Sequence, residues 1–491
     1  MAADPPVHVA PLGAALAGAG PGAAAAARRS LGALAALPDA GLVTLLSLLD
    51  GPSIARLALA SRGCWALAEH GEAWRGATLA DFGGDWAWAG SWARTHGLAH
   101  IRRRRRDVAG KKRRRHDGDG DADALASTPY PRLRGFRLFS DQLFAPHAVT
   151  ALDSSPWLGP DTLLRVRAAA LTRASFEARF DAPGLPVLLV GGAAGWPALT
   201  RWTDAFLAAR LGAVHAAGVD LSWSTYRRYA LATADDAPLT VFDARVLDAT
   251  GLASDAGPPA CAPADLLELL PPAARPDARW LIVGPPGSGS CMHTDPNGTS
   301  AWNGVVRGRK KWVLFPPGRP PPGLSPSPDG ATVIGPATVR EWLAAFHAGA
   351  AGGPPGERPL EGVAGPGDVV FVPRGWWHCV LNLEGEDDSA DVDDLTIAVT
   401  SNFVSRAGLP TALRALRTRD PGLVSGVPLA ARASLVDAFE AALRAGAPGA
   451  LADADAAAAK AGCGGAAALF REAAPDGGAG FAFGFDVGAE V

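Results

Sequence analysis

The stretch GPPGSGSCMHTDPNGTSAWNGVVRGRKKWVLFPP, residues 284–317, decides the fold and most of the chemistry. His293 and Asp295 stand at i and i+2, so on a strand both side chains leave the same face. An imidazole and a carboxylate so placed offer two neighbouring ligands to one metal ion. A third must come from elsewhere, and GDVVFVPRGWWHCVLNL (367–383) supplies His378 on a second strand about 85 residues on. Two histidines and one carboxylate on one face of an octahedral ion leave positions open, the arrangement of non-haem Fe(II) oxygenases. An HxD triplet alone is a common surface accident. The strand context, the tight Pro-Arg-Gly turn and the distal histidine together set this one apart.

Outward from this segment the texture is of short apolar runs between Pro/Gly turns. PVLLVGG (186–192), RWLIVG (279–284), KWVLFPP (311–317), DVVFVP (368–373) and LTIAVTSNF (395–403) are the clearest. Such spacing predicts an all-β sandwich or barrel rather than βαβ units. Helical stretches interrupt it at PADLLELLPP and TVREWLAAFHAG, and the chain turns helical and Ala-rich after Pro410.

Residues 279–317 and 364–403 resemble the Jumonji-C (JmjC) domain, in particular its branch of bifunctional arginine demethylases and lysyl hydroxylases. The matching strings are GPPGSGS, HTDPNGTSAWN, RGRKKWVLFPP, GDVVFVPRGWWHCVLNL and TIAVTSNF, with PVLLVGGAAGWPALTRW upstream. The resemblance implies a mainly β fold, a double-stranded β-helix (jelly roll, cupin-like) with flanking helices over 138–404. It also implies Fe(II) held by His293, Asp295 and His378, and 2-oxoglutarate as co-substrate. The far carboxylate of 2-oxoglutarate would sit deep in the barrel, where desolvation demands a cation and hydrogen-bond donors. Lys310, seventeen residues after His293, falls where the family places that cation. Its neighbour Lys311 should face the other side of a regular strand. Lysine is scarce, five among 46 basic residues, so a lysine here departs from the chain's habit of using arginine. By the same resemblance Thr400 and Tyr226 donate to the distal carboxylate, with Tyr229 as the rival tyrosine, and Asn303 lies near the iron-bound end. Where the family has a tight connection, this chain inserts GEDDSADVDD (385–394), an acidic segment expected as a solvated loop, with screening or attraction of a basic substrate as the functional alternative.

Ahead of the barrel, residues 1–32 are Ala/Gly-rich and expected to be disordered. Apolar residues at 42, 45, 46 and 49 follow a helical spacing, and Ser53 is placed to cap the helix after Asp50-Gly51-Pro52. Leu37, Pro38, Leu57, Leu59, Ser61, Trp65 and Trp74 fit the pattern of an F-box. Residues 33–76 therefore resemble an F-box domain, which implies docking to the Skp-type adaptor of a cullin ubiquitin ligase. A linker is expected over 77–137, with ten basic residues in the fourteen positions 102–115. Such a block points to nuclear import, with the cytoplasm as a second location. Without interleaved aromatics it argues only weakly for nucleic acid. A helical region over 405–471 and a flexible tail over 472–491 complete the expected order.

Composition narrows the rest. At 491 residues with 48% hydrophobic content the chain can bury several cores, and a net charge of -3 favours no partner. No apolar run reaches eighteen residues, so no membrane span is expected. The start lacks a secretory pattern but leaves a transit peptide open. Five scattered cysteines without a CxxC speak against a disulfide framework or a zinc site. The expected reaction is C–H hydroxylation of a protein side chain, lysyl first. Demethylation of methylated lysine or arginine is the alternative, and a non-catalytic F-box adaptor is a further one.

Overall fold

The computed structural model describes residues 28–462, apart from 69, 112–154, 328–332, 337, 355, 385–394 and 419–423. The acidic insertion, the Ala-rich start to residue 27, the end of the basic tract and the tail lie outside the described residues. Two compact units make up the chain. One comprises Asp153–Arg210 and the chain from Thr240 onward; the other joins the N-terminal helices to Leu211–Leu239. No described helix is long and apolar enough to cross a membrane.

The strands, in chain order, begin with β1 (Arg165–Arg167) and β2 (Val187–Val190) in the larger unit. The hairpin β3 (Ala213–Ala216) and β4 (Val219–Ser222) belongs to the smaller one. The larger unit continues with β5 (Val241–Asp243), β6 (Arg279–Gly284), β7 (Gly289–His293), β8 (Ser300–Arg307) and β9 (Arg309–Phe315). A two-residue pair follows, β10 (Ser325–Pro326) with β11 (Val333–Ile334). Last come β12 (Leu360–Ala364), β13 (Val369–Val372), β14 (Trp377–Leu383) and β15 (Thr396–Phe403).

Within the larger unit these strands form two sheets, one in the order β1-β2-β13-β8-β15-β6-β5 and one of β12-β9-β14-β7. Pairing is antiparallel except between β1 and β2. Neighbours distant in sequence, such as β13 beside β8 and β15 beside β6, are the crossovers of a jelly roll. Inward residues of both sheets meet in one apolar cluster: Leu188, Ala301, Val305, Val370 and Val372 face Trp312, Leu314 and Val380. β8 turns into β9 through Gly308 at φ 73°, a left-handed angle at which glycine carries no Cβ strain. The expected jelly roll with flanking helices is what the chain adopts.

Three helices, Leu409–Thr418, Leu435–Gly446 and Pro448–Gly462, pack a second core. Leu413, Leu416, Leu435, Phe439, Leu443 and Leu451 are buried there with Leu267, Leu270 and Val404. The C-terminal helical region is thus part of the same compact unit as the barrel.

In the smaller unit Leu42 and Leu46 are buried as the helical spacing predicts. Asp50, not Ser53, is the cap: its carboxylate accepts from Ser53 N at 2.9 Å, and the helix begins at Gly51 with Pro52 in the first turn. Proline fits there because its missing N–H would have had no intrahelical partner. The described part of the expected linker, residues 77–111, is largely helical. Gly71–Phe82 and the twenty-residue helix Trp92–Lys111 run through it. Arginine is a good helix former, and Arg106 pairs with Asp85 at 2.7 Å, so the first half of the basic tract remains helical. Residues 211–239, expected in the barrel domain, join this unit because Tyr229 packs edge-on among Trp86 and Trp88. Trp92 Nε1 and the Tyr229 hydroxyl both donate to Asp235, each at 2.7 Å.

Candidate metal centre

β7 and β14 pair so that His293 lies directly across from His378, with a bulge just beyond, between His378 and Val380. The ring centroids are 4.2 Å apart. Asp295 follows two residues after His293, where the strand has ended and the turn begins. One ligand atom from each of His293, Asp295 and His378 lies within 4.8 Å of the others, so the three could hold one metal ion.

Both histidines are pre-set for that task. His293 Nδ1 lies 2.7 Å from the Cys291 carbonyl, and His378 Nδ1 lies 3.2 Å from the Trp376 carbonyl. A ring nitrogen beside a carbonyl carries the proton and donates it, which leaves Nε2 free in each ring. Burial, with His293 close by, holds His378 well below its usual pKa and therefore neutral. Burial pushes Asp295 upward; His293 and a hydrogen bond from Asn402 draw it back. Asp295 Oδ2 is buried without a hydrogen-bond partner. A neutral His378, a second imidazole across from it and an Asp295 oxygen buried without a partner fit a divalent cation, which would supply the missing charge.

The co-substrate residues divide. His378, Val380 and Asn382 share one face of β14, and Leu314, Trp312 and Lys310 the matching face of β9. Lys310 is 3% exposed, and burial alone pushes its pKa down to about 8. Among the described residues no acceptor is recorded for its ammonium. Lys311 faces the other way: it meets Glu361 at 2.9 Å and donates to the Pro160 carbonyl at 2.9 Å. Thr400 and Asn303 are paired neighbours on β15 and β8. The Thr400 hydroxyl donates to the Trp302 carbonyl at 3.1 Å, while Asn303 Oδ1 is buried without a partner. A buried ammonium without an acceptor among the described residues fits a carboxylate of the co-substrate, whereas the unused Asn303 oxygen can only accept.

Tyr226 and Tyr229 have hydrogen-bond partners of their own. Tyr226 lies in the smaller unit, fully buried, and its hydroxyl donates to the Leu239 carbonyl at 3.2 Å. Tyr229, the rival, donates to Asp235 and accepts from Leu239 N. The helix Trp223–Ala230 buries both rings.

Asn402 is the residue the sequence reading missed. Its amide bonds Asp295 and donates to Thr299 Oγ1 at 2.7 Å. Strand alternation from Thr400 would have found it, since i and i+2 share a face.

Residues 266–408 match the cupin-like domain. The chain is 35% identical over 434 residues to the arginine-specific demethylase JMJ22 of Arabidopsis thaliana, covering 87% of this chain and 79% of that protein. The Jumonji-C family is thereby established. This chain belongs to it. Shorter matches reach the bifunctional arginine demethylase and lysyl-hydroxylase psr-1 of Caenorhabditis elegans, 31% identical over 268 residues, 50% of this chain and 62% of that protein. The 2-oxoglutarate and iron-dependent oxygenase JMJD4 of Homo sapiens is 36% identical over 146 residues, 29% of this chain and 30% of that protein. This Jumonji-C chain is an oxygenase that uses iron and 2-oxoglutarate.

Proposed function

We propose that this enzyme oxidises C–H bonds in basic side chains of proteins, with His293, Asp295 and His378 holding Fe(II) and Lys310 holding the far carboxylate of 2-oxoglutarate. What supports the reading is the His293–Asp295–His378 cluster on a barrel that also buries Lys310, with no partner among the described residues for Asp295 Oδ2 or for the Lys310 ammonium. Bound iron supplies the activation of O₂; the chain supplies the rest. The two Nδ1–H···O=C bonds fix the imidazoles, Asn402 orients the carboxylate, and Asn303 with Lys310 orients the co-substrate along the barrel. The buried apolar cluster of Trp312, Leu314 and Val380, on the strands that carry His378 and Lys310, would keep water away from them.

Lysyl hydroxylation and N-methyl-arginine demethylation share this step and differ in the carbon attacked. Hydroxylation of an N-methyl carbon gives a hemiaminal that releases formaldehyde. The long match to JMJ22, named an arginine-specific demethylase, favours demethylation; the shorter match to psr-1 keeps lysyl hydroxylation as the second reading. Basic peptides, with and without N-methyl-arginine, incubated with Fe(II) and 2-oxoglutarate separate the two: a gain of one oxygen marks hydroxylation, formaldehyde marks demethylation. His293→Ala or Asp295→Ala should abolish succinate production with little change in melting temperature. Normal turnover by either variant would overturn the ligand assignment.

A second proposal concerns the smaller unit, where Leu37 and Pro38 are exposed, Leu45 is half-buried, and Leu48 and Leu59 are 78% and 86% exposed. Apolar residues exposed singly are common on protein surfaces, so what supports a partner here is the F-box resemblance of residues 33–76. The F-box resemblance makes that partner a Skp-type adaptor. Leu48→Glu with Leu59→Glu should abolish co-purification with the adaptor, while 2-oxoglutarate turnover stays the same.

A further inference from the structure

Asp295 stands at the mouth of a tight turn that nothing in the reaction itself explains. After Pro296 two consecutive residues are left-handed, Asn297 at φ 55° and Gly298 at φ 67°. At Gly298 a Cβ would come within 2.9 Å of the Thr411 carbonyl oxygen, so the turn lies directly against the helix Leu409–Thr418. Asn297 is a non-glycine residue in this region and is buried. Its side-chain amide forms a two-way bridge: Nδ2 donates to the Ser425 carbonyl at 2.9 Å, and Oδ1 accepts from Ser425 N at 3.1 Å. The strap carrying Ser425 is fixed on both sides. Asp277 N donates to the Gly426 carbonyl at 2.6 Å, and Val424 and Val427 are buried in the C-terminal core.

Packing alone does not hold this turn. A cavity borders it, lined by Trp280, Pro296, Asn297, Thr299, Asn402 and Ser425 among others. Space on that side lets the turn relax if its hydrogen bonds are removed, because close contact is what makes an interior resist displacement. The same space adjoins Asn402, the donor to the Asp295 carboxylate.

We propose that Asn297 is a positioning residue for the metal-ligating carboxylate of Asp295, clamped by the backbone of Ser425, so that the C-terminal helices set the affinity for iron. The proposal rests on the reading of His293, Asp295 and His378 as the metal site. Asn297→Gly keeps the left-handed backbone but removes the bridge, Asn297→Asp keeps only the acceptor, and Ser425→Ala leaves the bridge intact because only backbone atoms of Ser425 take part.

The test is anaerobic binding of Fe(II) alone to the full chain, by competition with a chelator, beside thermal unfolding of each metal-free variant. Asn297→Gly should bind Fe(II) about 10- to 100-fold more weakly, the range for loss of a group that orients a metal ligand. Asn297→Asp should fall between it and the wild type, and Ser425→Ala should match the wild type. The melting temperatures report folding separately: a purely structural role would lower them while folded protein kept its metal affinity. Wild-type affinity in Asn297→Gly overturns the clamp. His293→Ala distinguishes that failure from one of the site itself, since retention of Fe(II) by His293→Ala would sink the metal assignment, not the clamp alone.

Discussion

Lys310 and Lys311 are adjacent in sequence and opposite in circumstance. Both are buried, yet Lys311 is neutralised by Glu361 while Lys310 has no recorded acceptor among the described residues. The strand period predicts their opposite directions, and the desolvation argument predicts which of them awaits an anion. Lys310→Ala should weaken 2-oxoglutarate binding by about 10- to 100-fold, the worth of a hydrogen bond to a charged group. Arginine should not restore it, because the planar head is larger than the ammonium. A sign follows for pH as well. The pKa of Lys310 is lowered to about 8, and the ammonium is the form that pairs with a carboxylate. Capture of 2-oxoglutarate by the free enzyme should be full below pH 8 and decline as pH rises through that value; kcat/KM for 2-oxoglutarate measures it. A flat profile from pH 7 to 9.5 would deny Lys310 this role. At this scale the cluster of possible ligands was legible from the His293–Asp295 spacing and the histidine of a second strand, while Lys310 was singled out by the family resemblance. The choice between Tyr226 and Tyr229 was not legible, because the short motif around them fits either tyrosine.

At the scale of elements, the outer face of β9 and β12 carries a buried ionic group. Glu361 on β12 takes Lys311 Nζ at 2.9 Å and His347 Nε2 at 2.8 Å, and its own N–H donates to Thr162 Oγ1 at 2.9 Å. Removing the shared carboxylate strands a cation in a water-free place. Glu361→Ala should therefore cost about 3–5 kcal/mol in denaturant unfolding, as loss of one member of a buried ion pair does. Glu361→Ala with Lys311→Met should recover much of that loss. A single variant as stable as the wild type would mean that water reaches Lys311 after all. None of this could be read from the sequence, since Lys311 and Glu361 are fifty residues apart and only the β9–β12 register brings them together. The linker was misread for the converse reason. Charge repulsion in an arginine block argues for a solvated stretch of chain, whereas arginine's helix propensity, the Asp85 carboxylate beside Arg106 and the Asp81 carbonyl beside Arg103 favour a helix.

For the whole molecule, the barrel was plain in the sequence because its strands recur with turn signals at the spacing of a jelly roll. The partition into units was not. Residues 211–239 interrupt the oxygenase region and yet cluster with the N-terminal helices through Tyr229 and Asp235, contacts that no local pattern announces. The acidic insertion 385–394 lies between β14 and β15 and outside the described residues. Its charge should steer basic substrates, an effect screened by salt. Deleting it should raise the KM for a basic peptide at low ionic strength, leave it unchanged at high ionic strength, and leave peptide-independent 2-oxoglutarate turnover as it was. Loss of that last activity would mean that the loop supports the barrel.

The pairing of His293 with His378 joins strands about 85 residues apart, so it closes a long stretch of chain. Contacts of such separation form late, because the entropy of loop closure must be met first. The unfolded chain does not bring the three ligands together, so iron binds the closed barrel and draws the folding equilibrium toward it. With free Fe(II) at a hundred times its dissociation constant, that linkage amounts to about 2.7 kcal/mol. Metal supply should therefore govern the lifetime of the protein as well as its turnover. In iron-starved cells the chain should be degraded faster, and a His378→Ala variant should show the short lifetime whatever the iron level.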